Sequence, residues 1–576
     1  MEKLECKFAI YIPPKKENQP DYHLIKEAVH KEDGSIEKKI RLIKDYQRPF
    51  YITEKQYRIH NDKKERENLD KLAKYVCTQS NLKNTLAKVL NKPYSNESIN
   101  QLSASPYVYG VDISSTTHIK AEYIKRFPDC RSPYSVAYFD TETDVIIGHQ
   151  NVIISSIVFE NKIALAVDIK FIKDIANPII AITNKFNFYL KEYIEKYDLK
   201  LEVFIVENAY EAIKACIDKA HEWKPDFLAI WNLDFDINKI IKACDEAKID
   251  PKHVFSDPSL HNDLKFFKYK QGKKKKVTAS GKVQPIPPSS QWHVVECPAS
   301  FFIVDAMCVY RLIRLAKQEK QRYDLDSILN DELTLGKLSF KEADKYKKLE
   351  KHIFMQKNYK LEYIVYNIFD SFSMQLLDNK TMDLKYTMPV YAGLTDFANF
   401  KSQPKRISDA LYFYLLETDQ TVLGSTGKAP QYNKYVDDLN KEDEDEPDIK
   451  LDILSLKGWI VTLKAMMLDN DGLNCIKENK HMRSNIRGIS ADTDCTSSYP
   501  SDIIVANVSK ETTKREIITI EGIDESVFRL QNINCLGGSV NAVQYCTTMF
   551  NFPQPEDVYK YFLENKESIK EKYRKL

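Results

Sequence analysis

Apolar residues fall along this chain into short continuous runs, typical of buried strands, and into helical spacing, typical of amphipathic helices. The clearest strand pattern is the run at residues 136–139, which leads directly into Asp140 and Glu142. Side chains two residues apart on a strand lie on the same face of the sheet, so these two carboxylates can bind one cation together. Taken alone, the pattern also fits a solvated strand end.

Two later patterns end in acidic residues as well. Residues 227–231 form an apolar run, and residues 237–244 have apolar positions at helical spacing, which places Asp236 at a strand-to-helix junction. Further along, Tyr366 and Asp370 are four residues apart and therefore share one face of a predicted helix. The three patterns together supply four carboxylates from separate parts of the chain.

Composition excludes several classes of protein. The chain is long enough for about three to four domains, and its net charge of +2 excludes a global polycation. Any affinity for nucleic acid must therefore come from local basic surfaces. The 11 scattered cysteines include no Cys-x-x-Cys pair, which argues against a zinc site or a disulfide framework. Because no signal peptide or membrane-length apolar run is found, we expect a cytoplasmic protein without membrane contact.

The order of the acidic patterns, Asp-x-Glu, Asn-x-x-Phe-Asp and Tyr-x-x-x-Asp, resembles the three exonuclease motifs of family B DNA polymerases. Two-metal hydrolysis of a phosphodiester needs hard oxygen ligands that hold cations roughly 3.5–4 Å apart. The resemblance implies that Tyr366 orients the attacking water. Asp234 competes with Asp236 for the second motif, but the Phe-Asp ending favours Asp236. Four carboxylates are implied to hold two Mg²⁺ or Mn²⁺ ions: Asp140, Glu142, Asp236 and Asp370.

Two further groups of residues are predicted to contact DNA. The second motif contributes Asn232 and Phe235. The lysine run between the second and third motifs is interpreted as part of a hairpin that touches the DNA backbone and has its turn at residues 279–281. Relatives carry a β-hairpin here that helps move the primer end between sites. A solvated, mobile loop is the alternative. The lysines of the run are Lys273, Lys274, Lys275 and Lys276.

A second group of candidate functional residues lies beyond residue 450. Residues 491–501 resemble polymerase motif A, in which Asp494 binds the magnesium ions that carry the incoming dNTP. Ser498 and Asp502 depart from the usual leucine and isoleucine of that motif. The alternatives are a Ser/Thr-rich turn and the Asp-Thr-Asp of motif C, but the Ser-Tyr-Pro that follows favours motif A. The loop predicted to bind the nucleotide contains Cys495, Ser497, Ser498 and Tyr499, whose backbone N–H groups would face the phosphates and whose tyrosine would pack under the sugar.

Two expected parts of a family B polymerase are missing after Ser501. Neither the Lys-x-x-x-Asn-Ser-x-Tyr-Gly pattern of the fingers nor a motif C aspartate is found. With Asp494 alone, the palm is expected not to polymerise DNA. A split enzyme is the simplest account, in which a second polypeptide carries the fingers, motif C and thumb and reaches a sliding clamp. A fragment of one longer chain would look the same.

We therefore predict an α/β fold with three domains. These are an amino-terminal domain (residues 1–130), an RNase H-like 3′–5′ exonuclease domain (131–378) and an incomplete α+β palm (379–576) with a disordered acidic insertion at 437–448. Residues 48–53 are similar to the amino-terminal domain of phage-type relatives. Apolar positions such as Leu72 and Val76 have helical spacing and predict one or two surface helices within residues 62–90.

The leading functional hypothesis is the amino-terminal part of a split replicative polymerase. It would proofread primer-template DNA and single-stranded 3′ ends. The rivals are a standalone 3′–5′ exonuclease with a degenerate palm and a noncatalytic scaffold for primer-template DNA.

Overall fold

The computed structural model describes residues 3–424 with short gaps, together with residues 532–535, 538–541 and 564. The gaps are residues 17–18, 62, 93–96, 148–150, 278–282, 316–319, 337 and 348. The chain divides into two compact units, one of Met1–Lys276 and Val283–Glu442, the other of Val277–Lys282 and Asp443–Leu576. Residues 379–424 of the predicted palm belong to the first unit.

The amino-terminal part of the first unit contains small antiparallel sheets and short helices. Its strands are β1 (Lys3–Ile12), β2 (Tyr22–His30), β3 (Ile36–Lys44), β4 (Arg48–Thr53), β5 (Arg66–Asn68), β6 (Leu72–Cys77) and β7 (Val108–Tyr109). Its helices are α1 (Leu82–Val89), α2 (Ile99–Ser103) and α3 (Ser115–Arg126). β2 is central in the first sheet, between β1 and β3, and β4 is central in another, between β6 and β7.

The helical prediction for residues 62–90 is confirmed only for α1. Residues Leu72–Cys77 form strand β6, so the prediction is wrong there. The physical reason is long-range pairing: β6 lies antiparallel to β4, which buries Leu72 and Cys77 and leaves Val76 exposed.

The larger part of the first unit alternates strands and helices. The strands are β8 (Val136–Thr143), β9 (Val152–Phe159), β10 (Lys162–Asp168), β11 (Lys200–Val206), β12 (Phe227–Ile230), β13 (Lys268–Lys270), β14 (Lys275–Val277), β15 (Val283–Pro285), β16 (Val294–Glu296), β17 (Phe302–Asp305) and β18 (Thr421–Leu423). The helices are α4 (Pro178–Tyr189), α5 (Lys191–Tyr197), α6 (Ala209–Trp223), α7 (Leu233–Glu246), α8 (Lys252–Phe255), α9 (Ala306–Arg314), α10 (Leu325–Leu333), α11 (Leu349–Asn358), α12 (Lys360–Thr381), α13 (Met388–Ala392) and α14 (Gln403–Thr418). In the second unit, β19 (Asn532–Cys535) pairs antiparallel with β20 (Gly538–Asn541).

A six-stranded mixed sheet lies at the centre of the first unit, in the order β11–β10–β9–β8–β12–β17. β8, β9 and β10 are antiparallel neighbours, whereas β12 and β17 run parallel to β8, and β11 runs parallel to β10. The predicted α/β class is confirmed. Because β8, β12 and β17 are parallel, the residues that follow each of them meet at one edge of the sheet.

Helices cover both faces of this sheet. Ala137 and Phe139 of β8 pack into a core with residues of α6 and α7. Tyr138, one residue away, points to the other face, where its hydroxyl donates to Asp378 of α12 at 2.7 Å. In the part of the chain that the structure describes, no helix is both long enough and apolar enough to cross a membrane.

Candidate metal centre

Strand β8 and helix α12 meet at the centre of the candidate site. The period of two along β8 sends Asp140 and Glu142 to the same face as Tyr138, which is the face that α12 covers. On α12, Asp370 points back at the strand and is buried, with 3% of its surface exposed. One carboxylate oxygen from each of Asp140, Glu142 and Asp370 lies within 4.8 Å of the others.

Three carboxylates this close repel one another, and a cation or a bound proton relieves that repulsion. Carboxylate oxygens are hard ligands, suited to Mg²⁺, Mn²⁺ or Ca²⁺ rather than to softer metals. The donor set therefore fits a divalent cation. The structure brings together three of the four carboxylates that the sequence predicts for the site.

Two donors from α12 hold the strand carboxylates in place. The Tyr363 hydroxyl donates to Glu142 Oε2, and Asn367 Nδ2 donates to Asp140 Oδ2 at 2.7 Å. His352 of α11 places its Nδ1 2.9 Å from the Tyr363 hydroxyl oxygen and 3.7 Å from Glu142 Oε2. Burial and the nearby Glu142 raise the pKa of Tyr363 well above its usual value, so its hydroxyl keeps the proton that it donates. None of these three residues, Tyr363, Asn367 and His352, is predicted from the sequence.

Tyr366 lies beside this network. Its ring stacks on that of Tyr363 with a centroid separation of 6.0 Å, and it meets the His352 ring edge-on at 6.3 Å. Tyr366 and His352 both line a cleft of about 670 Å³ that also contains Lys351 and Arg322. The predicted water-orienting tyrosine therefore lines the cleft and stacks on Tyr363, the residue that donates to Glu142 of the cluster.

Asp236 lies on the opposite face of β8. Its Oδ1 accepts a hydrogen bond of 2.6 Å from Thr141 Oγ1, and Thr141 alternates with Asp140 and Glu142 along the strand. Among the described residues, Asp236 is outside the group that lies within 4.8 Å. Burial raises the pKa of Asp236 to about 7, and the neighbouring Asp305 adds to the shift.

Asp305 is a further buried acid that the sequence analysis missed. It ends β17, where it accepts hydrogen bonds from the backbone N–H of Cys308 at 2.9 Å and of Leu233 at 3.1 Å. It thus caps α9 and fixes the turn from β12 into α7. Burial raises its pKa to about 7 although these bonds favour the ionised form. An aspartate between an apolar run and a helical pattern is the signature of such a cap.

The two predicted DNA contacts of the second motif lie at the start of α7. Asn232 precedes the helix in the left-handed conformation, with φ of 66°. Phe235 is 48% exposed, and Lys239 Nζ lies 5.5 Å from its ring centroid. An exposed aromatic ring beside a lysine is a surface on which a nucleic-acid base can stack.

Asp234 of α7 contacts the lysine run (residues 273–276) and the residues just before it. Its Oδ1 accepts from the Tyr269 hydroxyl and from Gln271 Nε2, both at 2.6 Å, and its Oδ2 lies 3.0 Å from Lys274 Nζ. Burial by itself would raise the pKa of Asp234, but these donors, together with Asn238, lower it well below its usual value. Among the described residues, neither Asp234 nor Asp236 belongs to the carboxylate cluster.

The four lysines predicted to touch DNA are all exposed. Lys274 is held by Asp234, and Lys275 begins β14, which pairs with β15. The turn predicted at residues 279–281 lies outside the described residues. The base of the predicted hairpin is therefore anchored to the first turn of α7.

Replacement Asp234→Ala is expected to loosen this anchor and to lower the free energy of unfolding by roughly 1–3 kcal/mol, because Tyr269, Gln271 and Lys274 all lose the carboxylate that they share. Urea titration measures the change. The matched control is Asp218→Ala, which removes an exposed ion pair with Lys214 on α6 and is expected to cost less than about 0.5 kcal/mol. Equal shifts for the two variants would contradict the anchoring role.

The predicted nucleotide site lies outside the described residues, as does the acidic run at 437–448. Its residues are Asp494, Cys495, Ser497, Ser498 and Tyr499.

Comparison of the chain with models of known protein families gives no match. Comparison with curated proteins gives no match either.

Proposed function

We propose that this chain is the amino-terminal part of a split family B replicative DNA polymerase and that it carries the 3′–5′ proofreading exonuclease. One observation carries the proposal: Asp140, Glu142 and Asp370, from distant parts of the chain, converge to within 4.8 Å. The mixed central sheet, with two strands parallel to β8 on one side and antiparallel strands on the other, is compatible with an RNase H-like exonuclease domain.

In this proposal Asp140, Glu142 and Asp370 hold Mg²⁺ or Mn²⁺ beside the 3′ end of a DNA strand. A bound pair of such ions lowers the pKa of an attacking water and stabilises the leaving 3′ oxygen. Tyr366, buried between Tyr363 and the cleft, orients that water through its hydroxyl. Asp236 is the fourth proposed ligand, although Thr141 holds it on the other face of β8.

The proposed DNA path runs over α7 and the lysine run (residues 273–276). Phe235 offers an exposed ring to an unpaired base of a single-stranded 3′ end. The exposed lysines 273–276 contact phosphates of the primer-template duplex. This part of the proposal predicts binding that weakens steeply as salt concentration rises.

The polymerase part of the proposal rests on motif A. Asp494 and the loop after it bind a dNTP only when a second polypeptide supplies the fingers, motif C and thumb. That partner also provides the contact with a sliding clamp. By itself the chain is proposed to trim DNA and not to extend it.

The test is incubation of the purified full chain with 5′-labelled primer-template DNA and Mg²⁺. A ladder of products shortened from the 3′ end is expected, and none in EDTA. No trimming at all would favour the noncatalytic scaffold. Polymerisation that starts only when the second polypeptide is added, and that Asp494→Ala abolishes, would select the split enzyme over a standalone exonuclease.

A further inference from the structure

One face of α12 carries a set of side chains that all approach the end of β8. Tyr363, Asn367 and Asp370 are spaced by four and three residues, so they lie in a row along the helix. Tyr363 contacts Glu142, Asn367 contacts Asp140, and Asp370 joins both carboxylates in the cluster. Each strand carboxylate thus has its own donor on the helix that supplies the third acid.

The contact with Asp140 determines the orientation of the Asn367 side-chain amide. Asn367 is fully buried, and its amide oxygen accepts no hydrogen bond from any of the described residues. Buried polar atoms are rarely left in this state, and each such atom calls for a physical explanation. The amide turns its N–H toward Asp140 because an oxygen in that position would face a carboxylate, so the contact with Asp140 decides the orientation.

Tyr363 is fully buried as well, but a hydrogen bond with His352 links it to the cleft. Its hydroxyl proton goes to Glu142, so the His352 tautomer with a proton on Nδ1 donates to the hydroxyl oxygen. His352 is 34% exposed and lines the cleft beside Tyr366. A chain of hydrogen bonds therefore runs from the cleft to Glu142.

We propose that Tyr363 and Asn367 are positioning residues for the cation site of the proposed exonuclease: each holds one strand carboxylate through a hydrogen bond, in the position where that carboxylate approaches Asp370. A glutamate side chain has three rotatable bonds, and like charges drive Asp140 and Glu142 away from Asp370. Donors on α12 set the spacing of the ligands before any ion binds. Loss of such an outer partner costs a metal site about 10–100-fold in affinity or activity.

The test measures binding of Mn²⁺ alone to the full chain by electron paramagnetic resonance, without DNA. Tyr363→Phe and the nearly isosteric Asn367→Leu are each expected to bind Mn²⁺ about 10-fold more weakly than the unmodified chain. The matched control is Tyr359→Phe, which removes a tyrosine hydroxyl bonded to Glu342 at the start of the same helix, away from the cluster. The control should bind Mn²⁺ like the unmodified chain.

A second measurement separates positioning from folding. The trimming rate of Tyr363→Phe should recover toward that of the unmodified chain at saturating Mn²⁺, while its unfolding midpoint in urea stays close to that of Tyr359→Phe. Mn²⁺ binding of equal strength in Tyr363→Phe and Tyr359→Phe would overturn the positioning role and leave the exonuclease standing. An unmodified chain that binds Mn²⁺ but trims no DNA would overturn the exonuclease alone, and one that binds no Mn²⁺ would overturn both.

Discussion

Replacement of both strand carboxylates, Asp140→Ala with Glu142→Ala, is expected to reduce 3′ trimming by at least about 10³-fold. Two of the three acids that converge at the site are then gone, and Asp370 alone cannot hold a cation pair. Metal ions contribute several kcal/mol of transition-state stabilisation, and each 1.36 kcal/mol corresponds to a factor of ten in rate. The measurement is the rate of shortening of a 5′-labelled primer at saturating Mg²⁺.

The matched control removes two acids of the same kind from a surface away from the cluster. Asp245→Ala with Glu246→Ala truncates two exposed side chains at the end of α7 and changes the net charge equally. Its trimming rate should equal that of the unmodified chain. Trimming that survives in the Asp140 and Glu142 variant would show that the cluster is not the hydrolytic site.

The sequence predicts those features of the candidate site that depend only on the spacing of residues along one strand or one helix. Alternation along β8 puts Asp140 and Glu142 on one face, and helical spacing puts Tyr366 and Asp370 on one side of α12. Both patterns depend only on the geometry of a single element. Their convergence depends on how α12 packs on β8, and for that step the motif order was the only guide.

Some residues of the site are not predicted from the sequence, because their roles depend on contacts between distant elements. Tyr363 and Asn367 look like ordinary core positions of an amphipathic helix until α12 is placed against β8. In the sequence, Asp234 and Asp236 follow the same apolar run and look equivalent. In the structure, Asp234 accepts a hydrogen bond from the distant Tyr269, whereas Asp236 accepts one from Thr141. Strand β6 follows the same rule, because its pairing with β4 overrides a helical pattern of apolar residues.

The buried acids Asp236 and Asp305 give the second large prediction: without divalent metal, their contribution to the free energy of unfolding should fall as pH rises from about 4 to 7. Burial raises the pKa of both Asp236 and Asp305 to about 7, against an ordinary value of 3.8. Between these values the folded chain holds protons that the unfolded chain releases, so raising the pH favours unfolding. The loss is absent below about pH 4 and complete above about pH 7.

Replacement Asp236→Asn should flatten part of this slope. The asparagine can keep an oxygen as acceptor for Thr141 Oγ1 while the buried charge disappears. One pKa unit corresponds to 1.36 kcal/mol, so after allowance for the unpaired amide N–H group a gain on the order of 2 kcal/mol is expected at pH 8. Urea titrations in EDTA at several pH values measure it, with the exposed Asp245→Asn on the same helix as control.

The same variant decides whether Asp236 serves the reaction. If its carboxylate moves from Thr141 to a metal ion during hydrolysis, Asp236→Asn should lose trimming while it gains stability at pH 8. Such an opposite change is the pattern expected of a residue kept for function at a cost in stability. Parallel pH curves for Asp236→Asn and the unmodified chain would contradict the buried-charge explanation. Full trimming by Asp236→Asn would confine the site to the three acids that already converge, Asp140, Glu142 and Asp370.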